Sequence, residues 1–126
     1  MAFVYYNPNP LGKSVGDCVV RALSKLLDES WFDIYTELCY RGSLAADMPS
    51  SNAVWSAYLR NLGYSKHSIP DTCPDCYTIR DFCRDYPEGT YLVAIGDHVV
   101  TVVDGDYYDA WDSGNEIPIS YYCRGE

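Results

Sequence analysis

The sequence predicts an α+β fold, with a helical cluster first and an antiparallel sheet second. Three observations predict it. Apolar residues recur at helical spacing through the first two thirds of the chain, the period becomes extended from Thr90, and hairpin turns separate the extended runs. The 126 residues contain no repeat, low-complexity tract or linker, so residues 1–126 are expected to form one domain with its own core.

The elements follow in order. Residues 16–28 open with a glycine-containing turn and carry Val19, Val20, Leu23, Leu26 and Leu27 on one helix face. Ser30 followed by Asp33 has capping-box spacing and predicts a helix of about ten residues closed by Gly42. Ser50 or Ser51 can cap the helix Ala53–Arg60, with Gly63 just past its end. Thr78 with Asp81 repeats the capping pattern before a short helix that stops ahead of Pro87. Tyr91–Ile95, His98–Val103 and Tyr107–Trp111 then read as strands, joined by Gly96-Asp97 and Asp104-Gly105. A fourth strand is expected around Pro118 to Tyr122.

Composition narrows the function classes. A net charge of −9 disfavours nucleic acid, because phosphate binding needs an excess of Lys and Arg. The same charge would steer a basic substrate or partner toward the surface. No apolar run reaches the roughly 20 residues needed to cross a bilayer, so no membrane association is expected. Met1 to Pro10 lacks the basic stretch and apolar segment of a signal peptide, which predicts a cytoplasmic protein with reduced thiols. Thirteen tyrosines, with Trp31, Trp55 and Trp111, read as core and strand packing rather than a base-stacking surface.

The chemistry concentrates in two segments. Cys18 stands in Gly-Asp-Cys-Val-Val-Arg at a helix N-terminus, and His98 begins an apolar strand eighty residues later. A thiolate, not a thiol, attacks a carbonyl, so a nucleophilic cysteine needs its pKa lowered. Helix N–H groups supply part of that, and a neighbouring imidazolium supplies more before returning the proton to a leaving group. Asp112, in Trp-Asp-Ser-Gly-Asn, is expected to orient the imidazole from the next strand; Asn115 is a second candidate and Asp109, nearer the hairpin turn, a lesser one. Two registers are open. With Asp104 and Gly105 as the two central turn residues, His98 faces Trp111 and points away from Asp112; a three-residue loop sets His98 opposite Asp112. Taken singly, Cys18 reads as a small core residue and His98 as a surface or capping side chain. Their joint occurrence in this order carries the expectation of a Cys/His site. His67, in Lys-His-Ser, reads as an exposed loop residue.

In these segments, about residues 16–27 and 96–115, the chain resembles a small papain-like cysteine peptidase, nearest to the bacteriocin-leader-processing and NlpC-type branches. It also resembles compact uncharacterised papain-like proteins of bacteriophages and gut bacteria. The resemblance implies Cys18 as nucleophile, His98 as general base and acid, and Asp112 as orienter. It implies a peptide or protein substrate cleaved at a peptide, isopeptide or related amide bond, without a cofactor. The alternatives are an acyl transferase with the same triad and a catalytically idle binding protein, for example in phage counter-defence. The family's oxyanion glutamine, about six residues before the cysteine, is replaced by Gly12, and the chain contains no glutamine. Asn7, Asn9 or Lys13 is the expected substitute, and loss of one such donor costs about 100- to 1000-fold in rate. Asp17, beside the thiol, is expected to raise its pKa.

Six cysteines complete the inventory: 18, 39, 73, 76, 83 and 123. Cys73-Pro-Asp-Cys76 with Cys83 is a weak zinc pattern, because no second CxxC exists; a redox disulfide, a stabilising staple and ordinary thiols are the other readings.

Overall fold

The computed structural model describes residues 2–124, so the outermost residues of the expected domain, 1 and 125–126, lie outside it. Strand β1 (Phe3–Tyr5) precedes three helices, α1 (Cys18–Leu27), α2 (Trp31–Ala45) and α3 (Asn52–Asn61). Strand β2 (Tyr64–Ser68) and helix α4 (Ile79–Asp85) follow, then strands β3 (Thr90–Ile95), β4 (His98–Val103), β5 (Asp106–Asp109) and β6 (Ser120–Arg124). The strands form one sheet in the order β1-β5-β4-β3-β6-β2. The β1–β5 pair is parallel and the other pairs are antiparallel.

Alternation along β3 and β4 divides the core. Leu92, Ala94 and Val99 pack with α1, α2 and α3, whereas Val93, Ile95, Val100 and Val102 pack with α4. Both sheet faces are therefore covered by helix. Helix α1 buries Val19, Val20, Leu23 and Leu26 in the first layer. Each such side chain contributes about 1.5–3 kcal/mol, against a helix-propensity cost of less than about 0.7 kcal/mol for a valine. Burial decides that this segment is a helix.

Local signals fix the other helices. The Ser30 side chain accepts from the Asp33 N–H, and Thr78 with Asp81 forms a reciprocal capping box. Helix α2 runs past the expected stop at Gly42, which is buried inside it. A Cβ at Gly42 would stand 2.7 Å from the Asp47 carbonyl oxygen, so this glycine serves a close approach of the following turn rather than termination. The helix instead ends at Ala46, which takes a left-handed conformation. Two strands depart from expectation. β1 and β2 are short edge strands paired to distant partners, and His67 lies on β2, half-buried and stacked on Tyr121 rather than in a loop.

The β4–β5 hairpin sets the geometry that matters most. Asp104 and Gly105 both have positive φ, the conformation that a two-residue type I′ turn requires. Thr101 consequently pairs with Tyr108 and Val102 with Tyr107. Among the described residues no helix is long and apolar enough to cross a membrane.

Candidate active site

Helix α1 lies along β4. The Thr101 hydroxyl donates to the Ala22 carbonyl at 2.6 Å, and the Val99 backbone N–H faces the Cys18 sulfur. Two contacts in the same direction put the start of the helix at the start of the strand. Cys18 is the first residue of α1, where backbone N–H groups have no intrahelical acceptor, and His98 is the first residue of β4. Their side chains meet as hydrogen-bond partners.

The imidazole is held on its other side by Asp109, not Asp112. His98 Nε2 lies 2.6 Å from Asp109 Oδ2, which leaves Nδ1 for the thiol. Register explains the correction. With the two-residue turn Asp109 has the parity of His98 and sits diagonally across the ladder from it, whereas β5 ends at Asp109 and Asp112 lies beyond it, off the ladder. Asp112 instead accepts from the Tyr107 hydroxyl, the Gly114 N–H and Arg80 Nη2, on an exposed brace between α4 and the loop after β5. Asn115 accepts from Arg80 Nη1 on the same brace and does not reach His98.

Asp109 is fully buried and carries four donors. Oδ1 accepts from Arg21 Nη2 at 3.0 Å and the Ala110 N–H at 2.8 Å; Oδ2 also accepts from the buried Ser113 hydroxyl at 2.7 Å. Arg21 extends its second amino group to Asp17 Oδ1 at 2.7 Å, and Trp31 Nε1–H donates to Asp17 Oδ2 at 2.8 Å. Asp17 is thus neutralised by a guanidinium one helical turn away, which removes the expected reason for it to raise the thiol pKa.

The electrostatics follow from these contacts. Burial pushes the Cys18 thiol up, but hydrogen bonds from His98 and Val99 and the charges of His98 and Arg21 outweigh it, so the thiol lies below its ordinary range. Burial alone would lower His98; hydrogen bonds to Asp109 and Cys18 overcome this and push it up to about 9. Asp109 is itself held low, because His98 and Ser113 outweigh its desolvation. Both shifts favour the thiolate–imidazolium form of the pair over the neutral one.

Cys18 and His98 sit where two cavities meet. The larger, about 640 Å³, runs between the starts of α1 and α3 and the sheet, with Asn52, Ser56 and Ser120 among its polar walls. The smaller, about 320 Å³, is walled by Val15, Ala110 and Trp111. Asp97 is exposed and lines both. Trp111 was expected in the packing of a strand, but β5 ends at Asp109. The indole is 46% exposed, with its ring 4.9 Å from that of His98.

The expected oxyanion donors lie elsewhere. Asn7 donates to the Lys13 carbonyl, and the Asn9 side-chain oxygen accepts from the Leu11 and Lys13 N–H groups. They order the loop after β1, and neither they nor Lys13 line the cavities at Cys18. The first-turn N–H of Cys18 remains as a donor beside the sulfur. Cys73 and Cys76 are joined in a disulfide across a turn whose Cα atoms are 4.3 Å apart, and Cys83 is buried on α4. This pairing is one of the readings that the sequence left open for the CxxC, and it departs from the expectation of reduced thiols. Among the described residues no group of three or more His, Cys, Asp or Glu is placed to hold a metal ion.

Comparison with family models, curated proteins and solved structures finds no match to this chain.

Proposed function

We propose that the chain is a cysteine-dependent hydrolase of papain-like type, cleaving a peptide, isopeptide or related amide bond through an acyl-Cys18 intermediate. The observation that carries this reading is the line Cys18, His98, Asp109 at the meeting point of two cavities. Support for the papain-like assignment is the arrangement of the line: the thiol at a helix N-terminus, the imidazole at the start of a later antiparallel strand, the carboxylate on the next.

The chemistry is acyl transfer. The Cys18 thiolate attacks the carbonyl carbon, and the Cys18 N–H meets the developing oxyanion. The His98 imidazolium donates its Nδ1 proton to the leaving amine as the C–N bond breaks, which leaves a thioester and a neutral imidazole. His98 then takes a proton from water, whose oxygen attacks the thioester. Collapse releases the carboxylic acid and restores the thiolate–imidazolium pair. Asp109 keeps the imidazole in the required orientation throughout. Asp97, exposed beside the reacting pair, and the net charge of −9 favour substrates that carry a cationic group.

The test is acylation by a panel of activated acyl esters and peptide thioesters, read by intact and site-resolved mass spectrometry. The expected result is an adduct on Cys18 that is absent in Cys18→Ala, is strongly reduced in His98→Ala, and is released by water. Transfer of the acyl group to added amines in preference to water would instead make the chain an acyl transferase. Acylation of Cys18 no faster than that of Cys39, the other half-buried free thiol, would remove the enzyme reading and favour an idle binding protein.

A further inference from the structure

We propose that Arg21 is a positioning residue: its two amino groups tie the helix that carries Cys18 to the carboxylate that orients His98. This deepens the reading above and rests on Cys18, His98 and Asp109 being the reacting line.

The argument begins with the rotational freedom of a carboxylate. Its terminal torsion is broad, so an aspartate that orients an imidazole must itself be held. Two of the four donors on Asp109, the Ala110 N–H and the Ser113 hydroxyl, come from its own strand end and loop and move with it. Of these four only Arg21 Nη2 arrives from α1. Arg21 stands three residues after Cys18, so both lie on one face of a single rigid helix. One guanidinium is therefore the direct link from the nucleophile's helix to the orienting carboxylate, added to the packing and hydrogen bonds that hold α1 on β4.

Arginine suits this place because its planar fork engages two carboxylates at once. Nη1 reaches Asp17 at 2.7 Å and Nη2 reaches Asp109 at 3.0 Å, with the side chains of all three residues at most 7% exposed. Asp17 cannot swing away, because Trp31 holds its second oxygen at 2.8 Å. A lysine would keep the charge but could not hold both carboxylates in these positions. The charged and titratable groups around His98 are Cys18 and Arg21 of α1, Asp17 before it, Asp97 in the β3–β4 turn and Asp109 of β5. Of the two aspartates that contact Arg21, only Asp109 also touches the imidazole.

The variant that separates geometry from charge is Arg21→Lys. The readouts are the pH profile of Cys18 alkylation by neutral iodoacetamide on the folded protein and the imidazole ¹⁵N titration of His98 by NMR. Wild type, Arg21→Lys, Asp109→Asn and the double variant form one cycle. Arg21→Lys is expected to move the thiol midpoint up and the imidazole midpoint down, by about one pH unit each, a tenfold change in the reactive thiolate fraction at pH values well below both midpoints. The double variant is expected to match Asp109→Asn alone, because Arg21 acts through Asp109. A wild-type profile in Arg21→Lys, or shifts that add in the double variant, would overturn the assignment and leave Arg21 a structural ion-pair partner. Trp31→Phe loosens the far anchor at lower risk to folding. It is expected to shift both midpoints in the same directions by less, and unchanged midpoints there would likewise overturn the assignment. Should the wild-type thiol titrate as an ordinary cysteine, the reading of the reacting line fails first, and that failure is visible in the wild-type profile alone.

Discussion

Asp109 and Asp112 stand three residues apart, and each is bonded to a hydroxyl and to an arginine from a helix. Asp109 has Ser113 and Arg21 of α1; Asp112 has Tyr107 and Arg80 of α4. The functional groups are nearly the same, but their surroundings are opposite. The Arg21–Asp109 side chains are 7% and 1% exposed, the Arg80–Asp112 side chains 42% and 47%. Water screens the outer pair and competes for its donors, so it braces a loop and little more. The inner pair has no such competition, and the energy of each contact there depends on every other contact being made. Only the inner region can hold an imidazolium beside a thiolate.

The largest expected effect is on stability. Asp109→Ala leaves the buried Arg21 and His98 charges without their shared partner and should cost about 3–5 kcal/mol in urea unfolding. Asp112→Ala should leave the unfolding midpoint close to wild type. Equal losses at the two sites would mean that burial does not separate them.

A smaller effect sharpens the comparison through pH. The His98 pKa is raised to about 9 from the ordinary 6.5, so its protonation stabilises the fold fully below pH 6.5 and that contribution is lost as pH rises toward 9. Cys18 has the opposite sign: its lowered pKa gives a contribution present above the ordinary thiol range and lost as pH falls through the folded value. The two oppose one another: rising pH removes the His98 contribution while it restores that of Cys18, so their pH dependences offset in part. Cys18→Ser removes one side of that balance. Its stability should fall more steeply than that of the wild type as pH rises above about 6.5; equilibrium unfolding of both proteins across this range checks it.

The smallest effect concerns salt. Raising ionic strength to about 1 M shortens the screening length to roughly 3 Å, which weakens the exposed Arg80–Asp112 pair. The alkylation midpoint of Cys18 should move little, since its partners are buried. A midpoint that climbs steeply with salt would place the network in contact with solvent.

The inner region was partly legible in the sequence. Valines and leucines at helical spacing marked α1, Thr78 with Asp81 marked the start of α4, and Asp104-Gly105 marked the hairpin. Cys18 and His98 could be paired because helix start and strand start are both local signals. Asp109 carried a usable signal as well: with a two-residue turn its parity matches that of His98 and the parity of Asp112 does not. Nearness to the turn argued against it, but β5 is so short that Asp109 is already its last residue. Asp17 and Arg21 stand four apart, a recognisable helix pairing, yet nothing local announces that the same guanidinium reaches a strand 88 residues away. Strands β1 and β2 were missed for a related reason. Phe3–Tyr5 is three residues long and Tyr64–Ser68 is mostly polar, so only their partners make them strands.

One measurement tests the central claim most directly: the pH profile of Cys18 alkylation, site-resolved, in wild type, Asp109→Asn and Asp112→Asn. The wild-type midpoint should lie well below the roughly 8.5 of a free thiol. Asp109→Asn should raise it toward that value, while Asp112→Asn leaves it where it is. A profile that responds to Asp112 and not to Asp109, or a wild-type thiol that titrates normally, would contradict the account.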